Sequence, residues 1–256
     1  MMAPTCALAL CALAGIPEVR PGDDLGALIV SAARDAGLAQ QSGDVLVVAQ
    51  KIVSKAEDRF VDLASVAPSA QARMLADVTC KDARLVEVIL RDSVRVVRAV
   101  RDVLIVEHRL GYIVANAGVD QSNAGGGTDR VLRLPEDPDA SAQRIHETLR
   151  RAWGCEVAVI VSDSFGRAWR RGTIGTALGA AGLPAMLDRR GGHDRDGRVL
   201  RSTIIGFADE IAAAASLIMG QADEGQPVVH VRGLAWSGTA SHARELVRPE
   251  REDLFR

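Results

Sequence analysis

With 256 residues, 48% of them hydrophobic but only 3% aromatic, the chain must build its core from Ala, Val, Leu and Ile, which suits an α/β or α+β protein rather than an aromatic-rich binding module. A formal net charge of −2 leaves no electrostatic footprint for nucleic acid or an anionic membrane, so an anion site has to come from local clustering. Cys6, Cys11, Cys80 and Cys155 show no CxxC spacing and the histidines no zinc spacing, so the cysteines read as small buried hydrophobes of a reducing cytoplasm.

The opening run up to Gly15 is apolar but lacks a positively charged start, and reads as a first strand rather than a secretion signal. No charge-free apolar run is long enough to span a membrane. Leu25, Leu28, Ile29, Ala32 and Ala33 recur at helical spacing behind Asp23-Asp24, and Gly43-Asp44 turns into a short buried strand, Val45–Ala49. Leu85, Val88 and Ile89 mark a middle helix, and strands at Val103–Glu107 and Tyr112–Asn116 bracket Gly111. A polar loop, Asn116 to Asn123, runs into Gly125–Gly127. A second helix then starts at Pro135 to Asp139 and carries Ala142, Ile145, Leu149 and Ala152 on one face.

Val157–Val161 reads as a buried strand that ends at Ser162-Asp163-Ser164, followed by a turn loosened by Gly166. Glycines 172, 175, 179 and 182 suit close backbone packing, and Asp194-Arg195-Asp196-Gly197 reads as a hairpin turn. A strand at Val199–Phe207, a helix from Asp209 to about Met219, a loop Gly220–Pro227 and a strand Val228–Val231 complete the pattern. The charged tail after Trp236 reads as peripheral, either helical or loosely held, within one domain spanning 1–256. Several strands follow one another without a helix between them, which favours α+β with mixed or antiparallel sheets over a doubly wound fold.

Neither GxxxxGK[ST] nor a strand-linked GxGxxG is present, so a P-loop or dinucleotide site is not expected. Oxygen donors instead gather in three places: Asp120 among Asn116, Ser122 and Asn123; Asp163 with Ser164; and Gln221, Asp223 and Glu224 between glycines. Each group alone is ordinary turn chemistry. Together they could hold Mg²⁺ or Mn²⁺ beside a nucleotide's phosphates. Arg167, Arg170 and Arg171 could meet phosphate oxygens or form a solvated basic face, and Lys51 and Lys55 could do either as well.

In this order the blocks Gly15–Glu18, Gly43–Val48 with Ser54–Glu57, Asn116–Asp120 with Ser122-Asn123, Ser162–Arg167 with Arg171-Gly172, Ala208–Ala212, and Met219–Gln221 through Val231–Gly233 resemble the coenzyme F420-0:L-glutamate ligase family over nearly the whole chain. The resemblance implies an α+β fold particular to that family, an intertwined homodimer, and GTP-dependent joining of L-glutamate to F420-0 by an amide bond. It implies GTP as co-substrate and two divalent cations, Mn²⁺ or Mg²⁺, with K⁺ as a further candidate. Carried over by block, Asp120 and Asp163 would hold one metal, and Ser164 and Gln221 would help hold the second. Ile16, Pro17, Glu18, Val19, Lys55, Asn123, Met219, Gly220, Gln221, Ala222, Asp223, Glu224, Gly225 and Gln226 would line the GTP site, together with Gln50 and Lys51 where the family often has small hydroxyl residues. Arg167 and Arg171 would neutralise charge in the reaction. A metal-dependent phosphohydrolase and a non-catalytic nucleotide or F420-binding module are the alternatives.

Overall fold

A computed structural model describes residues 7–121 and 129–253. The elements run β1 (Ala9–Ala12), α1 (Leu25–Asp35), β2 (Val45–Ala49), α2 (Gln50–Ala56), β3 (Phe60–Asp62), α3 (Ala70–Thr79), α4 (Ala83–Arg91), β4 (Ser93–Val100), β5 (Val103–His108) and β6 (Ile113–Ala115). They continue with β7 (Arg130–Leu132), α5 (Pro138–Trp153), β8 (Ala158–Arg167), β9 (Arg170–Ala181), β10 (Leu187–Asp188), β11 (Ile204–Ile205), α6 (Phe207–Met219) and β12 (Val228–Arg232). Cys6, Ser122, Asn123 and Gly125–Gly127 lie outside the described residues.

The main sheet has the order β1-β12-β2-β8-β9; β2 and β8 are parallel, and the other neighbours are antiparallel. Both faces are covered, which is why its central strands read as unbroken apolar runs rather than alternating ones. Leu46, Val48, Val159 and Val161 pack against α1 and α5, while Val45, Val47, Ala158 and Ile160 pack against α6. A second, smaller core joins α3 and α4 to the β4-β5-β6 sheet through Leu85, Val88, Ile89, Leu104 and Val106. The fold is therefore α+β with mixed sheets, as expected.

Local chemistry sets the helix ends. Asp24 caps α1 by accepting from the Ala27 N–H, Asp137 caps α5 by accepting from Ala140, and Gly154 closes α5 in the left-handed region at φ +65°. Gly179 packs so closely on α5 that a Cβ would run into the Pro138 carbonyl, and Gly175 does the same against Ala212 of α6. The Asp194–Gly197 hairpin turn is present: the Asp194 N–H donates to the Arg198 carbonyl (2.9 Å), and His193 bridges to Val199.

Four expectations are corrected. The strand expected to end at Ser162 runs on through Arg167, because β9 supplies ladder partners as far as the pair Arg167↔Arg170, and the turn falls instead at Ala168-Trp169. The strand expected at Val199–Phe207 shrinks to Ile204–Ile205, since only Leu187-Asp188 pairs with it, and Phe207 already begins α6. Ala152 is exposed, and the neighbouring Trp153 packs on the core in its place. Cys11 and Cys80 are exposed and Cys155 is half-buried, because apolar core is supplied elsewhere by aliphatic residues.

Asp139 ties three segments together. Its buried carboxylate accepts from the Ala180 N–H of β9 (3.0 Å) and from the Ala243 N–H of the C-terminal segment (2.8 Å), and it pairs with Arg244 (3.2 Å). The segment after Trp236 is thus pinned at Ala243, which is buried. Asp139→Ala strands the Ala180 and Ala243 N–H groups, so it should lower stability by about 3 kcal/mol, read as a fall in the urea midpoint at constant m-value.

Candidate functional site

The site lies where strand ends meet. Ala49 of β2 pairs with Ser162 of β8, so Gln50 and Lys51 of α2 start level with Asp163 and Ser164. The Ala49 N–H donates to the Pro227 carbonyl (2.8 Å), which fixes the end of the 220–227 loop at the same edge. The Leu13 N–H donates to the Val228 carbonyl (2.8 Å), so the chain leaving β1 arrives there too, with Ile16 to Val19. A cavity of about 430 Å³ opens between these segments. Its walls include Ile16–Val19, Gln50, Lys51, Lys55, Asp163, Ser164 and the whole 219–226 loop.

Within it, the Ser164 hydroxyl donates to the Gln221 side-chain oxygen (2.5 Å), and the Ser164 N–H donates to Asp163 Oδ1 (2.8 Å). Lys55 pairs with Glu18 at 2.6 Å. Lys51 pairs with Asp120 at 2.6 Å. Asp120 itself sits on the loop after β6 and is fixed by reciprocal backbone bonds with Leu132 (2.9 and 2.8 Å). Glu224 folds back to accept from the Ala222 N–H (2.8 Å), and this contact holds its carboxyl below the usual range; Gly220, at φ +75°, leaves room for it.

Burial pushes the Asp163 carboxyl up to about 6, and the Asp120 charge adds to the rise; the Ser164 N–H, the Lys51 ammonium and the Gln50 side chain act against it. A carboxylate held above its ordinary range in a polar cavity gains from a cation. The donors on offer are two carboxylates, a hydroxyl and an amide oxygen, all hard ligands suited to Mg²⁺ or Mn²⁺. Among the described residues no three His, Cys, Asp or Glu side chains cluster as a ready-made metal cage, so a substrate or water would have to complete the coordination.

The structure thus brings together every described residue of the expected nucleotide set, and sets Asp163, Ser164 and Gln221 beside it with Asp120 joined through Lys51. It does not bring Arg167 and Arg171 to the cavity. They sit at the β8–β9 hairpin tip, where Arg167 donates to the Arg171 carbonyl (3.1 Å). Two features escaped sequence reasoning. Gln50 is buried and reaches Asp163, a contact between residues far apart in sequence. Asn116 and Ala117 both take left-handed backbone (φ +54° and +53°) in the loop that leads to Asp120, a strain visible only once the fold imposes it.

Residues 15–233 match the family model for F420-0:gamma-glutamyl ligase. The chain belongs to that family. Among ligases of this family named coenzyme F420:L-glutamate ligase, the chain is 45% identical to the Methanothermobacter thermautotrophicus protein over 97% of its own length and 99% of the relative's. It is 46% identical to the Methanopyrus kandleri protein over 93% and 94%, and 42% identical to the Haloarcula marismortui protein over 96% and 94%. No helix among the described residues is long and apolar enough to cross a membrane.

The raised Asp163 pKa has a consequence for this ligase-family fold. Because the folded value lies above the ordinary 3.8, the stabilising contribution is fully present below about pH 4 and is lost as pH rises through about 6. Without added metal, Asp163→Asn should therefore be more stable than the parent at pH 7.5 by on the order of 2 kcal/mol, with the gap closing below pH 4. Denaturant midpoints across pH measure it; a parent more stable than the variant at pH 7.5 refutes the assignment.

Proposed function

We propose that this protein joins L-glutamate to F420-0 through an amide bond, using GTP and divalent cations, in coenzyme F420 biosynthesis. The observation that carries the proposal is the meeting, in one cavity of a chain of this family, of the 16–19 segment, Lys55 and the 219–226 loop with the Asp163–Ser164 pair. The cavity, about 430 Å³ and lined by both polar and apolar residues, is large enough for a nucleotide's phosphates and sugar.

Amide formation from a carboxylate needs a better leaving group than oxide, and an acyl phosphate provides one. A carboxylate oxygen of F420-0 attacks the γ-phosphorus of GTP, the bond to the β–γ bridging oxygen breaks, and GDP leaves with that oxygen. The glutamate amine then attacks the acyl carbon, the carbon–oxygen bond to phosphate breaks, and the amine proton passes to solvent. Lys51 and Lys55 stand where they can neutralise phosphate oxygens, and the Ser164–Gln221 hydrogen bond holds two oxygen donors in register. Divalent cations held by Asp120, Asp163, Ser164 and Gln221 would supply charge neutralisation on the transferring phosphoryl group. Catalysis is then positioning and electrostatics, and no side-chain nucleophile is called for.

Mass spectrometry of F420-0 incubated with the protein, GTP, Mn²⁺ and L-glutamate should show the mass of one or more added glutamyl residues, with phosphate release that depends on glutamate. Phosphate release without glutamate and with F420-0 unchanged would instead identify a phosphohydrolase. Asp163→Asn should lose at least about a hundredfold in rate with its circular dichroism unchanged.

The protein also acts as a homodimer in this reading. Val94, Val97, Val103, Ile113 and Trp169 (79% exposed) put large apolar side chains on the β4–β6 sheet and at the hairpin tip, more than a monomer gains from exposing. Sedimentation equilibrium should give twice the chain mass, and Val97→Glu with Ile113→Glu should shift it to the monomer.

A further inference from the structure

Lys51 lines the cavity and pairs with Asp120, its Nζ 2.6 Å from Oδ2 and the two side chains 33% and 26% exposed. The pair is close enough to commit that oxygen and open enough for an ion from solvent to reach it. We propose, resting on the ligase reading above, that Lys51 is a resident counter-ion which yields Asp120 to a divalent cation and, once released, turns to the phosphates of the nucleotide.

Three observations carry this. Asp120 offers a carboxylate of the kind a hard cation takes, and an ammonium 2.6 Å from its Oδ2 repels a divalent ion bound to the same group. Lys51 lies in the first turn of α2, on the wall formed with Gln50, Asp163 and the 220–227 loop, so its flexible four-carbon stem can sweep from Asp120 into the cavity without moving the backbone. Lys55, one turn further along the same helix, is buried and held by Glu18, so the two lysines are not equivalent. The exchange couples the ligands. Cation binding frees an ammonium for phosphate, so each ligand strengthens the other, and by linkage the two effects are equal.

Mn²⁺ binding to the full chain, read from the electron paramagnetic resonance signal of the free ion without nucleotide, tests the exchange. Lys51→Met should bind Mn²⁺ about threefold to tenfold more tightly than the parent, the span expected for losing one partly exposed ion pair. Lys51→Arg should bind no more tightly than the parent, since guanidinium holds the carboxylate at least as well. In protein carrying ¹³C-labelled lysine, the Lys51 ε-carbon resonance should move on Mg²⁺ titration at the concentration that saturates the site. That shift separates exchange from general repulsion. Mn²⁺ binding to Lys51→Met equal to or weaker than the parent overturns the exchange, and so does an ε-carbon resonance that stays put. A parent that takes no Mn²⁺ at all, like Asp163→Asn, overturns the metal reading of the carboxylates together with it.

Discussion

The parallel pairing of β2 with β8 is the constraint on which the site depends. Two parallel strands end on the same edge, so whatever follows each is delivered side by side. Here that brings Gln50 and Lys51 level with Asp163 and Ser164. The antiparallel placement of β12 beside β2 then makes the loop before β12 end at that edge, and β1, antiparallel to β12, ends there as well. Four stretches far apart in sequence converge because of strand direction alone. Their side chains do not have to find one another, because the ladder has already done so.

Asp120 reaches the edge by a different route, and its position depends on the smaller core. Its backbone is paired to Leu132, and the next residue, Arg133, clamps the buried Asp92 at the end of α4 through both guanidinium branches. Asp92 also meets Arg109, and Arg59 and Glu136 lie in the same network. Burial pushes the neighbouring His108 down to about 4, so it stays neutral beside the arginines and does not compete for Asp92. The charged network therefore reads as scaffolding. It fixes the strand that fixes the loop that carries the carboxylate.

Several site features cost stability. Asp163 is a carboxyl raised by burial, and Asn116 and Ala117 hold left-handed backbone on the approach to Asp120. At Asp139, by contrast, burial of a carboxylate is compensated: it serves a sheet edge and the C-terminal segment at once.

Much was legible in the sequence. The runs Val45–Ala49 and Val157–Val161, the helix behind Asp24 and the helix from Pro138 follow from periodicity and capping, which act within a few residues. The order of the unusual blocks was enough to indicate the family and, through it, the residues that line the cavity. What the sequence could not decide was anything resting on a partner distant in the chain. Ser162 to Arg167 look like a strand end followed by a turn, and become strand only because β9 lies alongside. Val199–Phe207 looks like a strand and mostly is not, because Leu187-Asp188 alone pairs with it. Arg167 and Arg171 look poised for phosphate, yet the length of that hairpin carries them away from the cavity. Local propensity and pattern determined the elements and the chemistry each could offer. Ladder register and strand direction, long-range terms that no short window contains, decided which of those offers meet.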